Sequence, residues 1–328
     1  MRRILIVAPN WLGDAVLALP AIADVRRALP DAAITIAARP AIAPLFALAD
    51  HRPPCVSTGT EVADAALLLP NSFHSAWTAY RARIPERWGF RTDWRGGLLT
   101  RAIPPPSRVH QVDYYQHLTR ALGFVSGPRE PKLTITADRR DAGAALLARA
   151  GWDGRSRLAA LAPGAAYGGA KRWPTASFGE LAAALAADGV RSVVVGSAAD
   201  RDTAADVVEA FRRCTSTEER RTARAVEPPI DLTGATDLAA LAAVLSHCRA
   251  LITNDSGAMH VGAALGVPVT AVFGPTDETA THPVGDAHRV VTHDVWCRPC
   301  MLRECPIDHR CMRRIDTAAV VDAARRTL

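Results

Sequence analysis

Short apolar runs alternate with Ala-rich amphipathic stretches along the whole chain. Arg2–Ala8 reads as a buried strand, Asp14–Leu29 as a helix, and Ala33–Ala38 and Ala65–Leu69 as further strands. Ser72–Arg83 and Gln111–Leu122 have helical spacing. Strand, crossover helix, strand predicts a parallel sheet covered on both faces.

The segment Ser126–Pro131 is rich in Gly, Pro and charge and reads as a loop. A strand over Lys132–Ile135 and a helix over Asp138–Ala150 are expected next, then the Gly- and Arg-rich Gly151–Arg157. The change of domain is expected there, giving domains 1–153 and 154–328. The second half repeats the alternation. Leu158–Ala162, Ser192–Val195, Ala250–Thr253 and Val267–Phe273 read as strands. Phe178–Ala187, Ala204–Cys214, Leu238–Cys248, Ser256–Leu265 and a terminal Thr317–Thr327 read as helices, and Arg213–Pro229 as a charged surface loop. Two α/β units of similar size follow. Ligands of open α/β sheets sit beyond the carboxyl ends of strands, so the strand-to-loop junctions are where chemistry is sought. Two such units facing each other would make one cleft.

Composition narrows the class. The chain has 328 residues, 49% hydrophobic and 22% charged, which suits an ordinary globular protein of about two domains. No apolar run reaches the ~18–20 residues of a membrane-spanning helix. Arg2 and Arg3 precede a short apolar run, but Pro9, Asn10, Gly13 and Asp14 interrupt it, so a first strand and loop fit better than a signal peptide. A reducing compartment is then expected. The net charge of +6 favours an acidic partner. Aromatics at 5% and no long Lys/Arg tract argue against nucleic acid. Nearly all basic residues are Arg; the only lysines are Lys132 and Lys171.

Three junctions carry candidate chemistry. In Ala8–Asp14 a strand meets a Gly-containing turn and a helix start; Asp14 is either a helix N-cap or a carboxylate available as general base. In Pro163–Pro174, Gly164, Gly168 and Gly169 precede Lys171 and Arg172. Glycines let backbone amides approach phosphate, and Lys171 supplies a compact charge. The alternative is a basic surface loop; the Walker A spacing is absent. In Thr253–His260, the amides of Ser256 and Gly257 and the helix dipole suit a diphosphate. Asp255 would repel phosphate and suits sugar hydroxyls instead. His260, a turn further on, either faces the same ligand or is an ordinary helix histidine. Asp200-Arg201-Asp202 has D-x-D spacing but reads as capping.

Seven cysteines include Cys297, Cys300, Cys305 and Cys311 in the loop 297–311, with His309 nearby. Four thiols this close could close a structural tetrahedral zinc site, remain reduced, or form disulfides. Cys55, Cys214 and Cys248 are scattered.

The ordered set of Trp11-Leu12-Gly13-Asp14, Leu69–Phe73, Gly164–Pro174, Thr253–His260 and Val272–Thr276 resembles the bacterial ADP-heptose:lipopolysaccharide heptosyltransferases, over essentially the whole chain. The resemblance implies a GT-B fold, two Rossmann-like doubly wound parallel-sheet domains with a cleft between. It implies inverting transfer of L-glycero-D-manno-heptose from ADP to a lipid-linked Kdo/heptose inner-core acceptor. The enzyme would be cytoplasmic, at the inner face of the inner membrane. Asp14 matches the base, Lys171 the diphosphate contact, Asp255 the heptose contact, and Ser256, Gly257, Ala258 and His260 the donor-binding helix start. Gly164 contributes backbone there, and Gly196-Ser197 corresponds to a region near the ribose. Ala165 and Ala166 stand where relatives often carry polar residues, so only backbone roles remain there. Asn10, Asn71, Arg91 and Arg95 are the candidates for the acceptor side. No cofactor is required for catalysis on this reading, because Lys171 and a helix N-terminus can stabilise the departing ADP. The alternatives are transfer to bare Kdo2-lipid A, another nucleotide sugar, or a non-catalytic nucleotide- or zinc-binding regulator.

Overall fold

A computed structural model describes residues 3–49, 55–57 (backbone only), 62–216 and 227–328. The chain divides into two compact units, residues 1–134 with 279–281, and residues 135–278 with 282–328.

The first unit holds strands β1 (Arg3–Val7), β2 (Ala33–Ala37), β3 (Cys55–Ser57), β4 (Ala65–Leu68), β5 (Glu86–Phe90) and β6 (Arg101–Ile103). Its helices are α1 (Leu12–Leu17), α2 (Leu19–Ala28), α3 (Ala43–Phe46), α4 (Phe73–Arg81) and α5 (Gln111–Ala121). The sheet is wholly parallel in the order β3-β2-β1-β4-β5-β6. β1 and β4 are apolar almost throughout and buried, as strands covered by helices on both faces must be.

The second unit holds α6 (Ala137–Arg149), β7 (Arg157–Ala162), α7 (Thr175–Ala187), β8 (Val190–Val194), α8 (Arg201–Thr215), β9 (Ile230–Asp231), α9 (Leu238–Leu245), β10 (Ala250–Asn254), α10 (Gly257–Ala264), β11 (Val269–Phe273), β12 (Arg289–Thr292), α12 (Arg310–Arg313) and α13 (Thr317–Arg325); the short α11 (Glu278–Thr281) precedes β12. Its sheet is also parallel, β12-β11-β10-β7-β8-β9. Read from β7, this is the same order as in the first unit. Both sheets are doubly wound in the Rossmann manner. Among the described residues no helix is long and apolar enough to cross a membrane.

Several expectations need correction. The helix expected over Asp14–Leu29 is broken at Ala18, because Pro20 lies in the first turn of α2 and cannot continue a helix from α1. Lys132–Ile135 is not a strand; Thr134 N–H bonds Leu48 O at 2.8 Å instead. The units part at 134/135 rather than near 153. The reason is α6, which packs on α9 so closely that a Cβ on Gly143 would lie 2.8 Å from the Ala243 carbonyl. Most of the loop expected over 213–229 lies outside the described residues, while Arg213–Thr215 complete α8.

Candidate active site at two switch points

Doubly wound sheets open a crevice where neighbouring strands send their chains to opposite sides. In the first unit β1 and β4 are such neighbours: one leads to β2, the other to β5. In the second unit β7 and β10 are the equivalent pair. The loops after these four strands carry Asn10–Asp14, Pro70–Ser72, Pro163–Trp173 and Asp255–Gly257.

In the first unit, Trp11 and not Asp14 occupies the α1 N-cap, and no side chain caps the helix there. Asp14 stands in the first turn, partly exposed. Its carboxylate is hydrogen-bonded by the hydroxyl of Tyr115 on α5, which is also bonded to Gln111. Burial, then the charge of Asp14, holds the Tyr115 hydroxyl well above its ordinary pKa, so it remains a proton donor to the carboxylate. Sequence reasoning missed Tyr115. Its only sequence signal is a tyrosine at a buried position of an amphipathic helix.

Asn10 is exposed beside this turn. Asn71 is also exposed, and its Nδ2 donates to the Tyr114 hydroxyl at 2.8 Å. Arg91 is exposed. Arg95 is not a surface residue: it is 0% exposed, and its guanidinium donates to Phe90 O at 2.9 Å, to Pro70 O and to Ser75 Oγ. Burial lowers its pKa to about 10. Its Nη2 lies over Gly89, where a Cβ would sit 3.0 Å away. Arg95 therefore fastens the loop after β4 to the end of β5, with its side chain withdrawn from the surface. One arginine in a dense run cannot be told from its neighbours by sequence.

In the second unit, Lys171 Nζ meets Asp255 Oδ2 at 2.5 Å, and both side chains are largely buried. Thr276, on the loop after β11, donates to the same oxygen at 2.7 Å. Lys171 also lies over the Tyr167 ring, 4.7 Å from its centroid, with Arg303 5.3 Å away. Asn254 ties the two loops together: its Oδ1 accepts from Trp173 N–H at 3.0 Å and its Nδ2 donates to Pro163 O at 2.7 Å. Ser256 is the N-cap of α10 without capping it through its side chain; its Oγ lies 3.1 Å from Thr253 Oγ1. The amides of Gly257 and Ala258 open the helix, and His260 is buried a turn further in. Tyr167, Asn254 and Thr276 lie within Gly164–Pro174, Thr253–His260 and Val272–Thr276, but only their contacts across the fold mark them.

Gly164 and Gly196 both face Asp200. A Cβ on Gly164 would strike that carboxylate, and one on Gly196 would come within 3.1 Å of Asp200 Cβ. Ser197 and Asp200 form a reciprocal capping box, and Arg172 approaches Asp200 at 3.6 Å. The D-x-D spacing is thus a helix start.

The loop 297–311 braces the Lys171 loop. Tyr167 Oη donates to Met301 O at 2.8 Å, Ala170 N–H to Arg303 O at 2.9 Å, and Gly169 N–H to Glu304 Oε1 at 2.9 Å; His309 Nε2 pairs with Ala170 O at 2.6 Å. Cys297, Cys300, Cys305 and Cys311 are unbridged. Burial and the three other thiols push the Cys311 thiol up. No group of three or more Cys, His, Asp or Glu among the described residues is arranged to hold a metal ion. The four thiols share one neighbourhood, since the other three all act on Cys311.

Residues 58–310 match the profile of glycosyltransferase family 9 (heptosyltransferase). The chain belongs to glycosyltransferase family 9. Among family relatives, the Salmonella typhimurium lipopolysaccharide heptosyltransferase 2 is 28% identical over 88% of this chain and 87% of its own. The lipooligosaccharide heptosyltransferase 2 of Haemophilus ducreyi is 30% identical over 86% of each chain. The structure of E. coli ADP-heptose lipopolysaccharide heptosyltransferase II superposes with a TM-score of 0.82 at 25% identity, covering 100% of this chain and 98% of that one. The GT-B expectation agrees with these family 9 folds.

Proposed function

We propose that the chain is an inverting transferase that moves L-glycero-D-manno-heptose from ADP-heptose to a heptosyl-Kdo2-lipid A inner core. The observation that carries the reading is the placement of a carboxylate at one switch point and a buried Lys–Asp pair beside a helix start at the other. The relatives' names supply the donor and acceptor classes.

In the reaction an acceptor hydroxyl oxygen attacks the anomeric carbon. Asp14 takes the hydroxyl proton as the bond forms. The bond from the anomeric carbon to the ADP β-phosphate oxygen breaks, and its electron pair leaves with ADP. Lys171 Nζ and the amides of Ser256, Gly257 and Ala258 stabilise that charge. Asp255 keeps Thr276 on Oδ2 and uses Oδ1 for heptose hydroxyls. Gly164, Gly196 and Ser197 line the nucleotide end, and His260 supports the start of α10. Asn10, Asn71 and Arg91 serve the acceptor. No cofactor is needed for these steps. The enzyme works in the cytoplasm at the membrane surface where its acceptor resides.

The test is a transfer assay with ADP-L-glycero-D-manno-heptose and two acceptors, Kdo2-lipid A and the same molecule already carrying one heptose. Transfer only to the second establishes the assignment. Transfer to bare Kdo2-lipid A moves the protein to the earlier step, and ADP binding without transfer to either leaves a non-catalytic binding protein.

A further inference from the structure

One face of α4 is not used by the fold. Ser75, Ala76 and Ala79 are buried on the opposite face, whereas Phe73, Trp77 and Tyr80 are 43, 40 and 48% exposed. The three rings form a ladder, with centroids 6.2 and 5.9 Å apart and planes within 25°. Trp94 is 98% exposed in the left-handed region, at φ +57°. Its neighbour Asp93 accepts from Phe73 N–H at 2.5 Å, which fixes the Trp94 turn beside the start of α4. Single exposed apolar residues are ordinary; four large aromatics on one helix and the turn bonded to it make a patch.

The patch has a cationic rim. Arg81 lies 5.8 Å over Trp77; Arg87 lies 5.5 Å over Tyr80 but is half-buried, with its guanidinium donating to Ile84 O, Pro85 O and Leu98 O, so the exposed Arg81, Arg83 and Arg91 supply the free charge. Residues 71–110 contain seven arginines against two acids, Glu86 and Asp93, so this stretch carries +5 of the chain's +6. Of the seven, only Arg95 is buried. Glu86 is committed to Trp88 and Thr100, and Asp93 to the α4 amide. Trp and Tyr favour the boundary between hydrocarbon and water, and arginines around them meet lipid phosphates. A second copy of the chain would bring the same rim against itself.

We propose that this α4 face docks on an anionic phospholipid bilayer. Phe73, Trp77, Tyr80 and Trp94 enter the headgroup layer, and the arginines face the phosphates. The inference deepens the reading that the acceptor is lipid-linked by naming the surface that brings the enzyme to it.

The test is cosedimentation of the full chain with vesicles of phosphatidylethanolamine plus phosphatidylglycerol, and with phosphatidylcholine alone. Trp77→Gln preserves helix preference, and Trp94→Asn suits the left-handed turn. An unchanged far-UV circular dichroism spectrum and a single cooperative urea melt with the wild-type slope show that each variant is folded. Binding to the anionic vesicles at least about tenfold tighter than to phosphatidylcholine, weakened about tenfold in either variant and released by salt, is expected. In wild type, brominated acyl chains should quench tryptophan emission, a readout that needs no variant. Absence of wild-type binding to anionic vesicles overturns the proposal. So does a variant that binds vesicles normally but loses transfer to a deacylated, soluble acceptor, because the aromatics would then bind acceptor sugar. A concentration-dependent dimer lost in Trp77→Gln, without vesicle binding, also overturns it. Vesicle binding by a protein that transfers no heptose supports the docking surface and removes the transferase assignment instead.

Discussion

Lys171 Nζ and Asp255 Oδ2 lie 2.5 Å apart although 84 residues separate them in sequence. They join the loop after β7 to the loop after β10, the two that flank the second unit's switch point. Lys171→Ala should weaken ADP-heptose binding roughly 10- to 100-fold, as expected for loss of a charged hydrogen-bond donor worth ~1.5–3 kcal/mol. It should also destabilise the fold by up to about 3 kcal/mol, because Asp255 stays buried without its cation, keeping the Thr276 hydroxyl on Oδ2. Calorimetric titration with the donor and urea melts separate the two effects. Unchanged affinity would remove Lys171 from the donor site.

Asp14→Asn should lower turnover by about 10²–10⁴-fold while ADP affinity stays near wild type. The binding measurement is the control, since Asp14 and the diphosphate loops belong to different units. Near-normal turnover would eliminate Asp14 as the base.

Tyr115→Phe removes the hydroxyl bonded to Asp14 and keeps the ring. A donor to a carboxylate favours its charged form, so losing it should raise the pKa that governs the acid limb of the pH–rate profile. The fold should lose about 1 kcal/mol. Lost stability with an unmoved acid limb would mean that Tyr115 only packs.

Cys248 is fully buried and its thiol is pushed up to about 12 from an ordinary 9.0. The folded state therefore holds this proton when the unfolded chain has released it. Stability from this group is intact below pH ~9 and declines as pH rises toward 12. Between pH 7.5 and 10 the loss should be about 1 kcal/mol in urea melts, absent in Cys248→Ala. Iodoacetamide at pH 8 should label Cys297, Cys300 and Cys305 in the native protein and Cys248 only after unfolding.

Transfer should persist in EDTA if Lys171 and the start of α10, as proposed, supply the charge stabilisation that a metal would otherwise give. A steady-state rate that falls in EDTA and returns with a divalent ion would contradict this.

Much of the architecture was legible because fully buried parallel strands such as Ile4–Val7 and Leu158–Ala162 are unbroken apolar runs. β5 was not: Glu86, Arg87 and Gly89 interrupt its pattern, and its packing depends on Arg95, which comes later in the chain. Asp14, Lys171 and Asp255 could be selected because each stands at a strand-to-helix junction with a distinctive spacing. Tyr115 and Thr276 could not, since their relevance comes only from the carboxylates they touch. Arg95 shows the converse, a charge expected at the surface that the fold places instead on Phe90 O, Pro70 O and Ser75 Oγ.

The bracing of residues 167–170 by residues 301–309 has a bearing on when the enzyme becomes complete during synthesis. The Asp14–Tyr115 contact can form once the first 115 residues are available. The Lys171 loop is held by bonds that reach 134–139 residues ahead. Its final geometry must wait until residues 301–309 have left the ribosome, long after the Asp14–Tyr115 contact can form.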